Sequence, residues 1–318
     1  MNIKRLVIEN FKSIEKIELE NPNPFTVFVG PNGSGKSNIF EALEFAELLQ
    51  QIGDNNLVRS LFGGGENFGR RQSNIIKFTF ECNAYDFVIH ILIDDTGASH
   101  GRETFNDIES YKQFTNFTRL FIGNERLVKL KYTDNKRLTL SASNMETVLK
   151  RLLTDTILKE EIHEWLDLFI PGFKAVEVVS GTFDSKDTLL VYEAGIDKPF
   201  TKDLISDGTY YIITLLVAVY QSDEPQFLCI EEPENGLHPQ VMMSLVEFFR
   251  KICEEKGHYI WLNTHSEAIV RKLSTDEIVL VDKRNGATQT RQIKGRNIYD
   301  IPTDEAWLTG ALGGGLPW

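Results

Sequence analysis

The most constraining feature of this sequence is the segment GPNGSGKS at positions 30–37, which lies between an apolar run and a helical pattern. It matches the pattern G-x-x-x-x-G-K-[ST], in which glycines let backbone N–H groups turn inward around a phosphate. The run FTVFV at 25–29 predicts a buried strand, and residues 39–49 carry apolar side chains at helical spacing. A strand, a glycine-rich loop and a helix N-terminus in this order predict an ATP-binding loop in an α/β fold.

Individual residues of this loop have predicted roles. The helix that begins near Ser37 directs its positive dipole end at the β-phosphate, and Lys36 is expected to reach the β- and γ-phosphates. The Ser37 hydroxyl is expected to ligate Mg²⁺. A glycine-rich turn that binds no ligand is the alternative, and the motifs further along the chain disfavour it. The predicted nucleotide-binding residues of the loop are Gly30, Pro31, Asn32, Gly33, Ser34, Gly35, Lys36, Ser37 and Asn38.

Two adjacent acids, Glu231 and Glu232, follow a second apolar run at 227–230. Ligands of open α/β sheets bind at the carboxyl ends of strands, where these acids are predicted to lie. Neighbouring residues of a strand point to opposite faces, so the two carboxylates are expected to have different tasks. Glu231 is predicted to hold the Mg²⁺ shell through water, and Glu232 to polarise the attacking water. The alternative, a surface turn with two solvated acids, is disfavoured by the apolar strand.

The next predicted strand, within HYIWLNTH at 258–265, ends in His265. Its imidazole could sense or stabilise a γ-phosphate by hydrogen bonding. An isolated histidine is more often structural, so this assignment depends on the neighbouring motifs.

The rest of the chain predicts alternating strands and helices. Residues 57–74, which are rich in glycine, predict a loop, and 99–136 predict mixed structure. Other predicted elements are strands within 1–29, a hairpin at 75–94 turning at Asn83-Ala84, helices within 143–170, strands within 174–193, a buried helix from Ser206 to Tyr220, a helix from Pro239 that ends at Gly257, and a hairpin at 278–293 turning at Asn285-Gly286.

Composition narrows the classes of partner and compartment. Of 318 residues 42% are hydrophobic, which predicts a globular core. The sequence contains no run of 18 apolar residues, so no membrane span is predicted. Three scattered cysteines argue against a disulfide framework or a zinc site and fit a reducing cytosol. The N-terminus lacks the apolar core of a signal peptide, so a cytoplasmic protein is expected.

The charge balance argues against broad contact with nucleic acid. The net charge is −12, whereas a protein that grips DNA over its whole surface is basic. Any such contact is expected to be local, and the alternative is that the small basic clusters are ordinary solvated charges. The candidate clusters are Arg70–Arg71 and the group Lys129, Lys131, Lys136 and Arg137.

Together these motifs resemble the ABC-type ATPase heads of the structural-maintenance-of-chromosomes (SMC) and RecF group, and they are most similar to the bacterial OLD-like ATPases. Residues from about 95 to 200 resemble the group only in general character. The segments that carry the resemblance are NFKSI at 10–14, GPNGSGKSNIFEAL at 30–43, LISDGT at 204–209, FLCIEEPENGLHP at 227–239 and NTHS at 263–266.

The resemblance implies an α/β P-loop NTPase fold with an antiparallel β-subdomain and a mostly helical lobe. It implies a nucleotide-binding lobe formed by 1–98 and 203–318, with 99–202 as the helical or mixed lobe. It further implies that Ser206 and Gly208 contact the γ-phosphate of ATP held by a second copy of the chain.

The same resemblance implies roles for three further positions. The loop at 234–237 would cross between the two sites, and His265 would be the switch histidine. Gln72 is the candidate for the glutamine that links the lobes and binds the metal. The sequence departs from the usual ABC pattern at Glu231, where Asp is common, and in SDG in place of SGG; both variants suit the OLD-like group.

The expected function is a Mg²⁺-dependent ATPase that dimerises around ATP and drives or regulates a partner effector in bacterial anti-phage defence. The 50 or so residues after His265 are too few for a Toprim nuclease domain, so a nuclease is expected to be a separate protein. Lack of a long coiled coil within 95–200 argues against chromosome-style tethering. The alternatives are a nucleotide-dependent assembly or sensor module that hydrolyses slowly or not at all, and a RecF-like DNA-repair ATPase.

The C-terminal segment 301–318 predicts exposed apolar residues at Trp307, Leu312 and Trp318, next to three glycines at 313–315. One interpretation is a segment that docks onto a partner through aromatic anchors. The alternative is a tail that packs on its own domain or is disordered.

Overall fold

A computed structural model of the chain describes residues 2–52, 55–63, 75–82, 86–94, 97–104, 114–124, 135–181, 186–298 and 301–312. The chain divides into two compact units. Unit 1 comprises Met1–Arg119, Pro225–Glu232 and Val246–Trp318, and unit 2 comprises Leu120–Glu224 and Pro233–Leu245. These divisions fall at other positions than the three segments expected from the sequence, and those segments remain a prediction.

Within the described ranges, strands and helices alternate along most of the chain. The strands are β1 (Ile3–Phe11), β2 (Ile14–Glu20), β3 (Phe25–Val29), β4 (Ile75–Cys82), β5 (Asp86–Asp94), β6 (Gly97–Thr104), β7 (Phe117–Leu120), β8 (Phe173–Ser180), β9 (Asp187–Glu193), β10 (Phe200–Thr201), β11 (Phe227–Glu231), β12 (Tyr259–Thr264), β13 (Ile278–Arg284) and β14 (Ala287–Gln292). The helices are α1 (Lys36–Ile52), α2 (Asn55–Leu61), α3 (Met145–Leu152), α4 (Thr156–Phe169), α5 (Asp207–Tyr220), α6 (Pro239–Lys256), α7 (Glu267–Val270) and α8 (Thr303–Leu308).

Unit 1 is built on a mixed sheet of eleven described strands in the order β6-β5-β4-β1-β2-β14-β13-β3-β12-β11-β7. Its parallel part, β13-β3-β12-β11, contains the three predicted apolar strands β3, β11 and β12, and every residue of these three is buried. Strands covered on both faces are expected to be mostly apolar, which explains the apolar runs of the sequence. The predicted buried strands are therefore confirmed.

The register of the parallel strands aligns their carboxyl ends. Glu231 of β11 lies opposite Asn263 of β12, and Thr264 of β12 lies opposite Val29 of β3. The loop that follows β3 and the residues that end β11 and β12 consequently share one edge of the sheet, where ligands of such sheets bind.

The antiparallel β-subdomain lies in the other part of the sheet. Strand β1 pairs antiparallel with β2 and β4, and β4, β5 and β6 continue in antiparallel order. The predicted hairpin at 75–94 is thus present, while its turn residues Asn83 and Ala84 lie outside the described residues. The hairpin of β13 and β14 turns at Asn285 and Gly286, both with positive φ, as its Asn-Gly pair predicts.

One loop prediction is wrong. Residues 57–61, expected to belong to a glycine-rich loop, lie in helix α2, and the described glycine of this region, Gly63, follows the helix. Val58 and Phe62, four residues apart, are both buried, and the Phe62 ring packs edge-on against Phe45 with centroids 4.9 Å apart. Packing of this apolar pair favours a helix up to the point where the glycines begin.

Unit 2 contains helices α3, α4 and α5 and a three-stranded antiparallel sheet in the order β10-β9-β8. The predicted helical stretch at 143–170 is two helices, because Asp155 caps the second one by accepting hydrogen bonds from the N–H groups of Ile157 and Leu158. Helix α5 buries nine residues, Ile212 to Tyr220, which agrees with its apolar sequence.

The expectation of exposed apolar residues near the C-terminus is wrong for two of the three. Trp307 in α8 is 5% exposed and Leu312 is fully buried. The Leu312 carbonyl accepts hydrogen bonds from Arg291 (2.6 Å) and Arg296 (2.7 Å), so this part of the tail packs on its own unit. Residues 313–318, with Trp318, lie outside the described residues. In the part of the chain that the structure describes, no helix is long and apolar enough to cross a lipid bilayer.

Candidate nucleotide-binding site

At two positions of the loop between β3 and α1, the backbone adopts a conformation that suits glycine and few other residues. Gly33 and Gly35 have φ values of +77° and +100°, a backbone conformation that residues with a side chain rarely adopt. A Cβ on Gly35 would lie 2.0 Å from Thr288 Oγ1, and one on Gly30 would lie 2.0 Å from the Val281 carbonyl oxygen. Strands β13 and β14 therefore press against the loop from behind, and the glycines permit this close approach.

Three polar side chains support the loop from that side. Thr288 Oγ1 of β14 donates to the Ser34 carbonyl (3.0 Å) and lies 2.6 Å from Ser13 Oγ. Asn38 of α1 donates from Nδ2 to Ser13 Oγ at 2.6 Å. Ser13 belongs to the NFKSI segment of the sequence, whereas Thr288 carried no signal in it. The network joins the β1–β2 turn, the loop and the first turn of α1.

Lys36 is folded back onto the loop. Its ammonium donates to the carbonyls of Gly30 (2.8 Å) and Pro31 (3.0 Å), and the residue is 5% exposed. His265 Nδ1 lies 3.0 Å from the Gly30 carbonyl and 3.4 Å from the Lys36 ammonium. The exposed loop residues are Asn32 and Gly33, and Ser37 is half-buried.

The two predicted acids have different surroundings, although not because they alternate along a strand. Strand β11 ends at Glu231, and Glu232 has φ +48°, so the backbone turns away from the strand at this residue. The Glu231 side chain is fully buried, while that of Glu232 is 33% exposed, with Oε1 3.5 Å from His265 Nε2. Glu232, His265 and Lys36 therefore form a continuous row of contacts.

Asn263 links the two acids. Its carbonyl and its Oδ1 accept the Glu232 N–H at 3.1 and 3.0 Å, and its Nδ2 donates to Glu231 Oε2 at 3.2 Å. These bonds stabilise the left-handed backbone of Glu232, which otherwise costs free energy for a residue with a side chain. The sequence contains Asn263 in NTHS but gave no indication of this role.

Arg119 of β7 is a further residue that sequence analysis missed. Its guanidinium donates from Nε to Glu231 Oε1 (2.5 Å) and from a terminal nitrogen to Glu44 Oε2 (2.8 Å). Burial opposes the charge, but the attraction of Glu231 and Glu44 outweighs it and raises the pKa of Arg119. A single charge in the apolar run FTRLF was the available signal, because a buried charge needs a partner.

The signature-like segment lies in unit 2. Ser206 is exposed and caps α5 by accepting the Thr209 N–H at 3.0 Å. A Cβ on Gly208 would lie 2.8 Å from the Gly236 carbonyl, so the segments 204–209 and 234–237 are in close contact within this unit. Gln72, Arg70–Arg71, Lys129 and Lys131 lie outside the described residues.

The oxygen donors near the loop fit magnesium. Among the described residues, no group of three or more His, Cys, Asp or Glu side chains could hold a metal ion by itself. Mg²⁺ prefers oxygen ligands and usually takes one or two protein groups together with phosphates and water. The Ser37 hydroxyl and the Glu231 carboxylate are donors of this kind, so they suit Mg²⁺ better than a metal that needs a complete protein cage.

Comparison with known proteins identifies relatives of the whole fold and of shorter segments. A family described as "AAA domain" matches residues 5–175, and a second, described as "AAA domain, putative AbiEii toxin, Type IV TA system", matches residues 155–271. The chain is 49% identical over 91 residues to the chromosome partition protein Smc of Methanocaldococcus jannaschii, covering 27% of this chain and 8% of that protein. It is 33% identical over 95 residues to the DNA replication and repair protein RecF of Actinobacillus pleuropneumoniae serotype 5b, covering 30% of this chain and 21% of that protein.

The matched segment thus spans less than a quarter of either curated relative, whereas solved SMC heads match almost the whole chain. An SMC head bound to the C-winged helix domain of ScpA has a TM-score of 0.62 at 15% identity, covering 95% of this chain and 100% of that chain. The SMC head domain of Thermotoga maritima has a TM-score of 0.52 at 15% identity, covering 92% and 100%. Because one AAA-domain family covers more than half of the sequence, the chain belongs to the AAA-domain family, and its fold is that of the ABC-type ATPase heads of the SMC and RecF group.

Proposed function

We propose that this chain binds ATP with Mg²⁺ and hydrolyses it in a site completed by a second copy. The observation that carries this proposal is the row of contacts from Lys36 through His265 to Glu232, at the edge of the sheet where β3, β11 and β12 end. A cation, an imidazole and a carboxylate in a row at this edge are the groups that bind phosphate and orient water.

Each group has a proposed task. The amides of 30–37 and the N-terminus of α1 bind the phosphates, and Lys36 exchanges its contacts to Gly30 and Pro31 for phosphate oxygens. Ser37 would ligate Mg²⁺, Glu231 would hold its water shell, and Gln72 is a further candidate ligand; the ion would neutralise charge on the phosphates. Glu232 orients and polarises the attacking water. His265 contacts the γ-phosphate.

The second copy is proposed to supply Ser206 and Gly208. The N-terminus of α5 is exposed at Ser206 and Asp207, while Ile212 to Tyr220 are buried, so the N-terminal end of the helix dipole is the end open to solvent. An exposed N-terminus of a long helix favours anions, and a γ-phosphate held by a partner copy is such an anion. The dimer would form around ATP and separate after hydrolysis.

In a wider context, we propose that ATP-dependent dimerisation drives or regulates a separately encoded effector, such as a nuclease, in bacterial anti-phage defence. The family description that names a putative AbiEii toxin supports this role. A RecF-like role in DNA repair is the second candidate, supported by the similarity to RecF. The net charge of −12 disfavours extensive DNA contact and leaves only local contact for either role. A sensor that does not hydrolyse ATP would not need the contact between Glu232 and His265.

Lys36→Met tests nucleotide binding. The wild type is expected to release phosphate from ATP only with Mg²⁺, whereas Lys36→Met should bind a fluorescent ATP analogue about 100-fold more weakly, since bonds to a charged group contribute about 1.5–3 kcal/mol each. The control is Lys272→Met, which removes a surface lysine paired with Glu247. Equal affinities of wild type and Lys36→Met would contradict the proposal.

The biological role is testable in the bacterial host. Cells that carry Lys36→Met on the chromosome are expected to lose resistance to phage while they survive ultraviolet light like the wild type. Unchanged phage resistance together with sensitivity to ultraviolet light would contradict the defence role and favour DNA repair.

The proposed effector is testable by purification. The product of the neighbouring gene should co-purify with the wild type in the presence of ATP, and its absence from the preparation would argue against an effector.

A further inference from the structure

A buried arginine lies behind the candidate metal-binding carboxylate, and the proposed mechanism above does not use it. Arg119 is in β7, where all four residues are buried, and its side chain is 3% exposed. Its Nε and a terminal nitrogen both contact Glu231 Oε1, and its other terminal nitrogen contacts Glu44 Oε2. Arg119, Glu231 and Glu44 belong to the same compact unit.

One buried cation in this cluster lies between two carboxylates. The Glu231 side chain is fully buried and that of Glu44 is 13% exposed, so neither carboxylate is well solvated. One guanidinium between two carboxylates leaves a net negative charge, which still attracts a cation.

The geometry also distinguishes the two oxygens of Glu231. Oε1 receives two donors from the planar guanidinium, which fixes the position of this oxygen. Oε2 accepts the longer bond of 3.2 Å from Asn263. A glutamate has three side-chain torsions, and contacts on both oxygens restrict all of them.

We infer that Arg119 is a positioning residue for Glu231, which holds Oε1 of the carboxylate in place and leaves Oε2 as the oxygen for the water shell of Mg²⁺. This inference rests on the proposed function. Arg119 contacts neither nucleotide nor metal in this scheme and acts through Glu231 alone. Partners that hold a ligating or shell carboxylate in place typically change metal affinity 10- to 100-fold when they are removed.

The first experiment measures the Mg²⁺ requirement of Arg119→Lys. Lysine keeps the positive charge but replaces the rigid guanidinium by a single flexible ammonium, so Oε1 is no longer held in one position. A fluorescent ATP analogue is expected to bind within twofold of wild type in EDTA. The Mg²⁺ concentration that gives half the Mg²⁺-induced fluorescence change should rise about tenfold, and saturating Mg²⁺ should restore most of the phosphate release.

Arg250→Lys is the matched control. Arg250 also makes a two-pronged contact, with Glu277 at 2.6 and 3.0 Å, but it lies in α6 and does not contact any predicted site residue through the bonds described. It should lower the melting temperature without changing the Mg²⁺ midpoint. If Arg119→Lys behaves in the same way, Arg119 is structural only and the inference is wrong. If the wild type binds no nucleotide, the proposed function fails, and this inference fails with it.

A stability cycle tests the pair without nucleotide. Arg119→Met should lower the Tm by about 5–10 °C, because it leaves buried carboxylates without their cation. Arg119→Met combined with Glu231→Gln should be more stable than Arg119→Met alone. A double variant whose Tm loss equals the sum of the two single losses would show that the residues are not coupled, and this would overturn the inference. If Arg119→Met does not fold, the cycle is measured with Arg119→Lys in its place.

Discussion

Glu232→Gln is expected to reduce phosphate release at least about 100-fold while ATP affinity stays within a few-fold of the wild type. The amide keeps the size of the side chain but cannot accept a proton from water. The left-handed backbone at φ +48° should persist, because Asn263 holds the main-chain N–H of Glu232, which the substitution keeps. Single-turnover release of phosphate and binding of a fluorescent ATP analogue measure the two effects separately.

Glu267→Gln is the control for this experiment. Glu267 is an exposed acid in α7, two residues after His265, so its replacement changes the charge near the site without touching the row of contacts. It should leave both measurements unchanged.

The Glu232→Gln variant should also accumulate with ATP as a species of doubled mass, because the state that precedes hydrolysis persists. Wild-type phosphate release by Glu232→Gln would show that another group orients the water.

A mixture of two inactive variants is expected to regain activity. Lys36→Met removes the phosphate-binding lysine of its own copy. Ser206→Arg places a bulky cation at the exposed N-terminus of α5. In a mixed dimer, one site combines the intact Lys36 of one copy with the intact Ser206 of the other. Random pairing of equal amounts should give about a quarter of the wild-type rate of phosphate release, since half of the dimers are mixed and each carries one complete site.

The decisive control is a mixture of Lys36→Met with the double variant Lys36→Met, Ser206→Arg, which contains no complete site and should stay inactive. Ser206→Arg also removes a helix cap, worth about 1 kcal/mol, so its Tm is measured first to establish that it folds. No recovery of activity in the first mixture, with both variants folded, would contradict a site shared between two copies. Activity of Ser206→Arg alone would contradict the proposed role of Ser206.

Sequence patterns were sufficient where a short segment determines its own structure. The fully buried strands β3, β11 and β12 were predictable because apolar residues dominate each of them, and the helix starts at Ser206 and Pro239 were predictable from residue type. The same local reasoning failed at α2 and at Trp307. In both cases burial of an apolar side chain against distant parts of the chain outweighed the local preference for a loop or an exposed tail.

By itself, the sequence determined the phosphate loop, the strand before it, the helix after it, and the acids and histidine at two further strand ends. These features depend on neighbouring residues, so a linear pattern contains them. Only the tertiary structure decided that Arg119 meets Glu231, 112 residues away, and that Thr288 meets Ser34, 254 residues away. A buried charge or hydroxyl can bind whichever partner the sheet order brings near, and that order depends on burial across the whole unit.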